Sequence, residues 1–120
     1  MKKIILLMLI SIASLFAYEE LTVDNFDEKI KDKNVIIDFY AVWCPPCKIL
    51  ASKLEDFDVV KPDNVEIFKV NIDNQMVLAK KYGVSKLPTL VYFKNGKPVN
   101  DYVGVLSVEE LTATSKENFK

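Results

Sequence analysis

The sequence predicts an α/β domain built on a central mixed β-sheet with helices on both faces. Three observations carry that expectation. Two continuous apolar runs, "NVIIDFYAVW" at 34–43 and "VEIFKVNID" at 65–73, have the β-branched and aromatic make-up of strands covered on both sides. Amphipathic helical segments separate them, and strands joined through helices pair in parallel. Further along, two apolar runs flank Asn95-Gly96, the dipeptide that tolerates positive φ in a tight hairpin turn, so an antiparallel pair joins the same sheet.

Residues 1–17 come first and do not belong to that domain. "MKK" supplies a positive end, Ile4 to Ala17 carries no charge, and "YEE" follows. This is the layout of a secretory signal peptide with the small residue Ala17 at the cleavage point. The fourteen residues from Ile4 to Ala17 fall short of the roughly 18 that a spanning helix needs, and none is a cysteine that a lipid would acylate. Residues 18–120 then read as one domain. Phe26 and Ile30, four apart after the N-cap residue Asp24, predict a short helix over 24–33. The first strand follows, with one acid, Asp38, in its middle. Beyond the cysteines, Leu50, Leu54 and Phe57 recur at i, i+4 and i+7, placing an apolar stripe on a helix that ends near Asp58. The second strand carries one charge of its own, Lys69. "NQMVLAKKYG" is a helix closed by Gly83 in the left-handed position. After the hairpin, Ser107 and Glu110 form a capping box for a last helix whose apolar face is thin: Leu111, then Phe119.

Composition narrows the chemistry. Half the residues are hydrophobic and 28% charged, an ordinary globular balance. Removing residues 1–17, with Lys2 and Lys3, takes the formal charge from −1 to −3. All 16 basic residues are lysines. Without arginine or histidine, bidentate phosphate recognition and imidazole acid–base chemistry are absent, and nucleic acid is excluded as a partner.

The remaining chemistry lies in "WCPPC", 43–47, which contains both cysteines of the chain. A C-x-x-C pair serves metal binding or disulfide exchange. A closed zinc site needs about four ligands, and two cysteines with no histidine do not supply them. A purely structural disulfide, the third alternative in an exported protein, would close so short a loop that it constrains the unfolded chain very little. Exchange chemistry fits best. The pair falls between a strand and a helix, and proline suits a helix first turn because its missing N–H has no intrahelical partner there. Since a residue before proline is pushed away from the α region, Cys44 and Pro45 are expected to be extended and the helix to start at Pro46. Cys44 then sits just outside a helix N-terminus, where the dipole and free N–H groups favour a thiolate, which makes it the attacking nucleophile. Cys47, on the inward side of the first turn, is the resolving thiol.

In order and spacing, "VIIDFYAVWCPPCK", "FKVNID", "KYGVSKLPTLVYFKNGK" and Val103-Gly104 resemble the thioredoxin family, and the likeness covers essentially all of 18–120. C-x-x-C alone would be weak. Trp43 before it, Asp38 six residues upstream of Cys44 and Pro88-Thr89 after the third helix make the resemblance specific. It implies the thioredoxin fold and no cofactor or metal. It also implies that Pro88 is a cis proline lying against the cysteines and leaving the backbone at Leu87 free to pair with a substrate strand; base rate alone favours trans, since only about 5–6% of X-Pro bonds in folded proteins are cis. By the same resemblance Asp38 is a buried carboxylate behind the cysteines with Lys69 as its partner. Its raised pKa would let it take the proton from Cys47; the alternative is an inert, hydrogen-bonded polar residue. Trp43 and Gly104 complete the implied substrate-binding set. The chain departs from the family pattern at Pro45, where glycine is usual, at Ser52, where a helix-kinking proline is usual, and at Lys86, where glycine is usual. Pro45 leaves the N–H of Cys47 as the chief donor near Cys44, so the thiolate is expected to be less stabilised and the protein a somewhat stronger reductant.

The expected function is an exported thiol-disulfide oxidoreductase that reduces disulfides in client proteins through a mixed disulfide. Its compartment is the periplasm, with a membrane tether if the signal is uncut. A membrane electron carrier would rereduce it, because an oxidising compartment supplies no reducing pool. A narrower version is reduction of apocytochrome cysteines in cytochrome c maturation, although the chain lacks the extra insertion those relatives carry. The alternatives are a disulfide oxidant or isomerase, and a non-catalytic binding module. A monomer is expected.

Overall fold

A computed structural model describes residues 18–120. The expected signal peptide and its cleavage point lie outside the described residues. The elements run α1 (Phe26–Ile30), β1 (Asn34–Tyr40), α2 (Pro45–Val60), β2 (Val65–Asn71), α3 (Met76–Lys81), β3 (Thr89–Lys94), β4 (Lys97–Val103) and α4 (Val108–Asn118). The strands form one mixed sheet in the order β2-β1-β3-β4. β1 pairs with β2 in parallel and with β3 antiparallel, and β3 pairs antiparallel with β4. Residues 19–21 lie against the outer edge of β2, through Leu21 N–H to Lys69 O (2.8 Å) and Lys69 N–H to Glu19 O (3.0 Å).

Side chains alternate along a strand, so each face of the sheet collects its own core. Val35, Ile37 and Phe39 of β1 join Phe68, Val70, Val91 and Phe93 beneath α1 and α3, with Phe26 and Ile30 as the α1 contribution. Ile36 of β1 joins Val65, Ile67, Leu90 and Tyr92 on the opposite face, beneath Leu50, Leu54 and Phe57 of α2 and Leu111 of α4. The central sheet with helices on both faces is therefore as expected. The same alternation puts Asp38 on the α2 side, next in line after Ile36, and puts Lys69 on that side after Ile67. Both charges interrupt an otherwise apolar face beside the start of α2.

Local signals explain most element ends. Gly83, at φ +70, closes α3 in a Schellman arrangement: its N–H donates to Lys80 O (3.2 Å) and that of Val84 to Ala79 O (2.9 Å). Asn95 and Gly96 both take positive φ and turn β3 into β4. The capping box at Ser107 and Glu110 is complete in both directions. Three boundaries differ from expectation. α1 is shorter and is capped at Asn25 rather than Asp24, because the Asn25 side chain accepts from Thr22 N–H and shapes the preceding turn. α2 continues to Val60, closed by Lys61 N–H on Phe57 O, and passes through Ser52 without interruption. Its start, at Pro45 rather than Pro46, concerns the site.

Candidate active site

β1 delivers the chain to residues 41–43, and α2 begins immediately after Cys44. Cys44 is the N-cap, with extended backbone (φ −107, ψ 106), and Pro45 and Pro46 occupy the first two helical positions. The preference of a pre-proline residue for extended backbone is local, and here it is outweighed by the cap. Cys44 Sγ accepts the N–H of Cys47, at the third helical position, at 3.2 Å. A cap side chain reaches only the second or third N–H of a helix, and Pro46 offers none at the second. Among the first three residues of α2, Cys47 therefore carries the N–H that reaches that sulfur, and a start at Pro45 presents it.

Cys44 and Cys47 form a disulfide with Cα atoms 5.3 Å apart. In this oxidised state the two are almost equally buried, at 5% and 3% exposure, although Cys44 lies outside the helix and Cys47 in its first turn. What distinguishes them is what each faces. Cys44 lines a cavity of about 440 Å³ with Trp43, the two prolines, Ile72, Val84 and Leu87. Cys47 lines a separate cavity of about 310 Å³ with Tyr18, Asp38, Tyr40 and Lys69.

On the Cys44 side, Trp43 is 64% exposed, and its Nε1–H donates to Asp73 Oδ2 at 2.8 Å. Asp73 is held in turn, its N–H donating to Asn71 Oδ1. The Leu87–Pro88 peptide is cis, and Leu87 precedes β3 without joining either of its ladders. Gly104 donates its N–H to Pro88 O at 2.9 Å. Trp43, Leu87 and Cys44 thus share one apolar cavity, whereas Pro88 and Gly104, bonded to each other, follow it in the chain without lining it.

On the Cys47 side, Asp38 is 2% exposed, and burial pushes its carboxyl from 3.8 up to about 7. Two influences oppose that rise: the Tyr18 hydroxyl, 3.4 Å from Oδ2, and the charge of Lys69. Asp38 and Lys69 are register partners across β1 and β2, yet among the described residues they form no salt bridge. The Lys69 ammonium instead lies over two rings, 5.6 Å from the Tyr18 centroid and 5.7 Å from that of Tyr40. Tyr40 donates its hydroxyl to Glu20 Oε1 at 3.0 Å; burial, then that bond, raises its pKa to about 12. Among the described residues no group of three or more Cys, Asp or Glu could hold a metal ion.

The thioredoxin family model matches residues 17–117. The chain belongs to the thioredoxin family. It is 39% identical over 94 residues to the thioredoxin of Alicyclobacillus acidocaldarius, covering 78% of this chain and 90% of that one. With the thioredoxin of Chlamydia caviae it shares 44% over 88 residues, 73% of this chain and 85% of that one. The thioredoxin of Staphylococcus haemolyticus is 38% identical over 95 residues, 79% and 91% of the two chains. As a thioredoxin-family member with a Cys44–Cys47 exchange pair, the chain is a protein-disulfide reductase. Such proteins act on disulfide-containing substrates and are generally monomeric.

Two residues of this neighbourhood, Asp73 and Tyr18, carry no signal in the sequence. Asp73 lies in the quoted "NID" stretch, but nothing local indicates that it holds the Trp43 indole. Tyr18 lies 20 residues before Asp38 and reaches it only because residues 19–21 pair with the edge of β2.

Proposed function

We propose that this chain is an exported reductase of the periplasm, rereduced there by a membrane electron carrier, and that Cys44, Cys47 and Asp38 divide the reaction between them. The Cys44 thiolate attacks a client disulfide: a Cys44–client S–S bond forms and the other client sulfur leaves as a thiolate. Cys47 then gives its proton to Asp38 and its sulfur attacks Cys44 Sγ. The mixed disulfide breaks, the second client sulfur departs with the bonding pair, and two electrons have passed to the client. Lys69 and Tyr18 temper the carboxyl. Trp43, Leu87, Pro88 and Gly104 form the surface along which the client strand lies.

The observation that carries this reading is the placement of Cys47 and a buried carboxyl, titrating near neutrality, on one cavity that Cys44 does not line. A group whose pKa matches the working pH is suited to accepting a proton and releasing it again. A binding module would have no use for either thiol or for such an acceptor, whereas a disulfide oxidant or isomerase would run the same proton transfer in reverse and differ in its redox potential. Export rests on the charge layout of residues 1–17. Apocytochrome cysteines, in cytochrome c maturation, are the narrowest version of the client class.

Cys47→Ala expressed in the native host tests the division of roles. Mixed disulfides with client proteins should accumulate through Cys44, and their cytochrome content tells the narrow version from the general one. A partner that binds equally well without Cys44 would instead indicate a module. Fractionation and the mass of the mature protein test export: a periplasmic chain beginning at Tyr18 is expected. Thiols that stay oxidised whether or not the membrane reductant is present would overturn the reductive direction in the cell.

A further inference from the structure

Tyr18 is placed by the backbone pairing that follows it and by the packing of its ring. The pairing of residues 19–21 with Lys69 fixes it at the outer edge of β2, and its ring packs against the core on the α2 side of the sheet. Its hydroxyl donates to Asp38 Oδ2, while Oδ1 is buried with no partner among the described residues. The other groups around the carboxyl do not compete for it. Lys69 lies over the Tyr18 and Tyr40 rings, and the Tyr40 hydroxyl is spent on Glu20. Lys48 and Cys47 of α2 line the cavity, Glu55 of α2 acts on Tyr18, and β3 presents the apolar Leu90 opposite Asp38.

We infer that Tyr18 is a positioning residue for the proton transfer: its hydroxyl occupies Oδ2 and leaves Oδ1 as the oxygen that takes the Cys47 proton. The inference rests on the reading of Asp38 as acceptor. In the step itself the Cys47 S–H bond breaks and the proton passes to Oδ1, making the carboxylate a neutral carboxyl. The electron pair stays on Cys47 Sγ and attacks Cys44. Tyr18 gives up no proton, because burial and the neighbouring Asp38 charge hold its hydroxyl far above the neutral range. A hydrogen bond to the ionised form favours that form, so Tyr18 also keeps the carboxyl from rising further and being blocked by its own proton.

Tyr18→Phe removes the hydroxyl and keeps the ring beneath Lys69. Two readouts apply to wild type, Tyr18→Phe and Asp38→Asn: the ¹³C titration of the Asp38 carboxyl where it is present, and the pH dependence of single-turnover reduction of a disulfide-bonded peptide. In Tyr18→Phe the Asp38 midpoint should move up by about half a unit or more, of the order expected for one lost hydrogen bond. The rising limb of the rate profile should move with it, making the variant about twofold slower at pH 7 and equal to wild type at pH 9. A purely structural role for Tyr18 would move neither. An unmoved or lowered midpoint, or a raised midpoint with an unmoved rate profile, overturns the role of Tyr18 and leaves Asp38 as acceptor. Asp38→Asn with the wild-type rate and profile overturns the acceptor reading itself, and this inference with it.

Discussion

Replacing Asp38 by Asn should stabilise this protein at neutral and alkaline pH while impairing its turnover. The carboxyl is 2% exposed and its pKa rises from 3.8 unfolded to about 7 folded. Between about pH 4 and 7 the folded state therefore holds one proton more than the unfolded state. Stability falls as pH rises through that window and levels off above it. A difference of about three units, at about 1.4 kcal/mol each, puts the penalty of the buried charge at about 4 kcal/mol at pH 8. The amide escapes that penalty but brings two N–H donors to a site where Oδ1 has no partner among the described residues, which takes back about 1–2 kcal/mol. The net expectation is a gain of about 2–3 kcal/mol at pH 8 that shrinks to nothing or reverses at pH 4. Urea unfolding of the oxidised protein at pH 4, 6 and 8, followed by far-ultraviolet circular dichroism, measures it directly. A variant no more stable than wild type at pH 8 would contradict a buried-charge penalty at Asp38. So would a gain of the same size at pH 4 and pH 8, since packing alone would then explain it.

Two further substitutions probe other parts of the structure. Because α2 begins at Pro45, Pro46 occupies the second helical position, whose N–H can reach a cap, and Pro45 the first, whose N–H cannot. Pro46→Ala should thus add a second donor to the Cys44 thiolate and raise the redox potential by about 20–30 mV, the equivalent of about 1–1.4 kcal/mol. Pro45→Gly should raise it by less; equilibration with glutathione measures both, and a larger effect at Pro45 would contradict the cap geometry. Ser107→Ala removes one side of the capping box and should cost about 1 kcal/mol by urea unfolding without altering the redox potential.

Much of the fold was legible because its signals are local. Alternation and β-branching identify β1 and β2, Asn95-Gly96 the hairpin, Gly83 the end of α3, and Ser107 with Glu110 the start of α4. The thin apolar face of α4 is less informative. Leu111 is buried as its spacing suggests, but the helix is also held by partners from the sheet: the Tyr92 ring stacks on Phe119 at 5.5 Å, and its hydroxyl lies 2.7 Å from Thr114. No periodicity within the helix reports a tyrosine on another element. The start of α2 shows a different limit. Pre-proline sterics argue for Pro46, and a cap bond from Cys47 to Cys44 overrides that preference by one residue.

At the site, the redox pair, its place at a helix N-terminus, and one acid in a strand that should carry none are all written in the order of residues. Those are properties of neighbours along the chain, and the chain order fixes them. Long-range packing sets what surrounds them: the two sulfurs face separate cavities, Lys69 lies over aromatic rings instead of forming a salt bridge with Asp38, and the carboxylate's hydrogen bond comes from Tyr18. Side-chain alternation places Asp38 and Lys69 on the same face, but the distance between their charged ends depends on what else fills that face. Tyr18 fills it from 20 residues away, through backbone pairing at a sheet edge that no local pattern encodes.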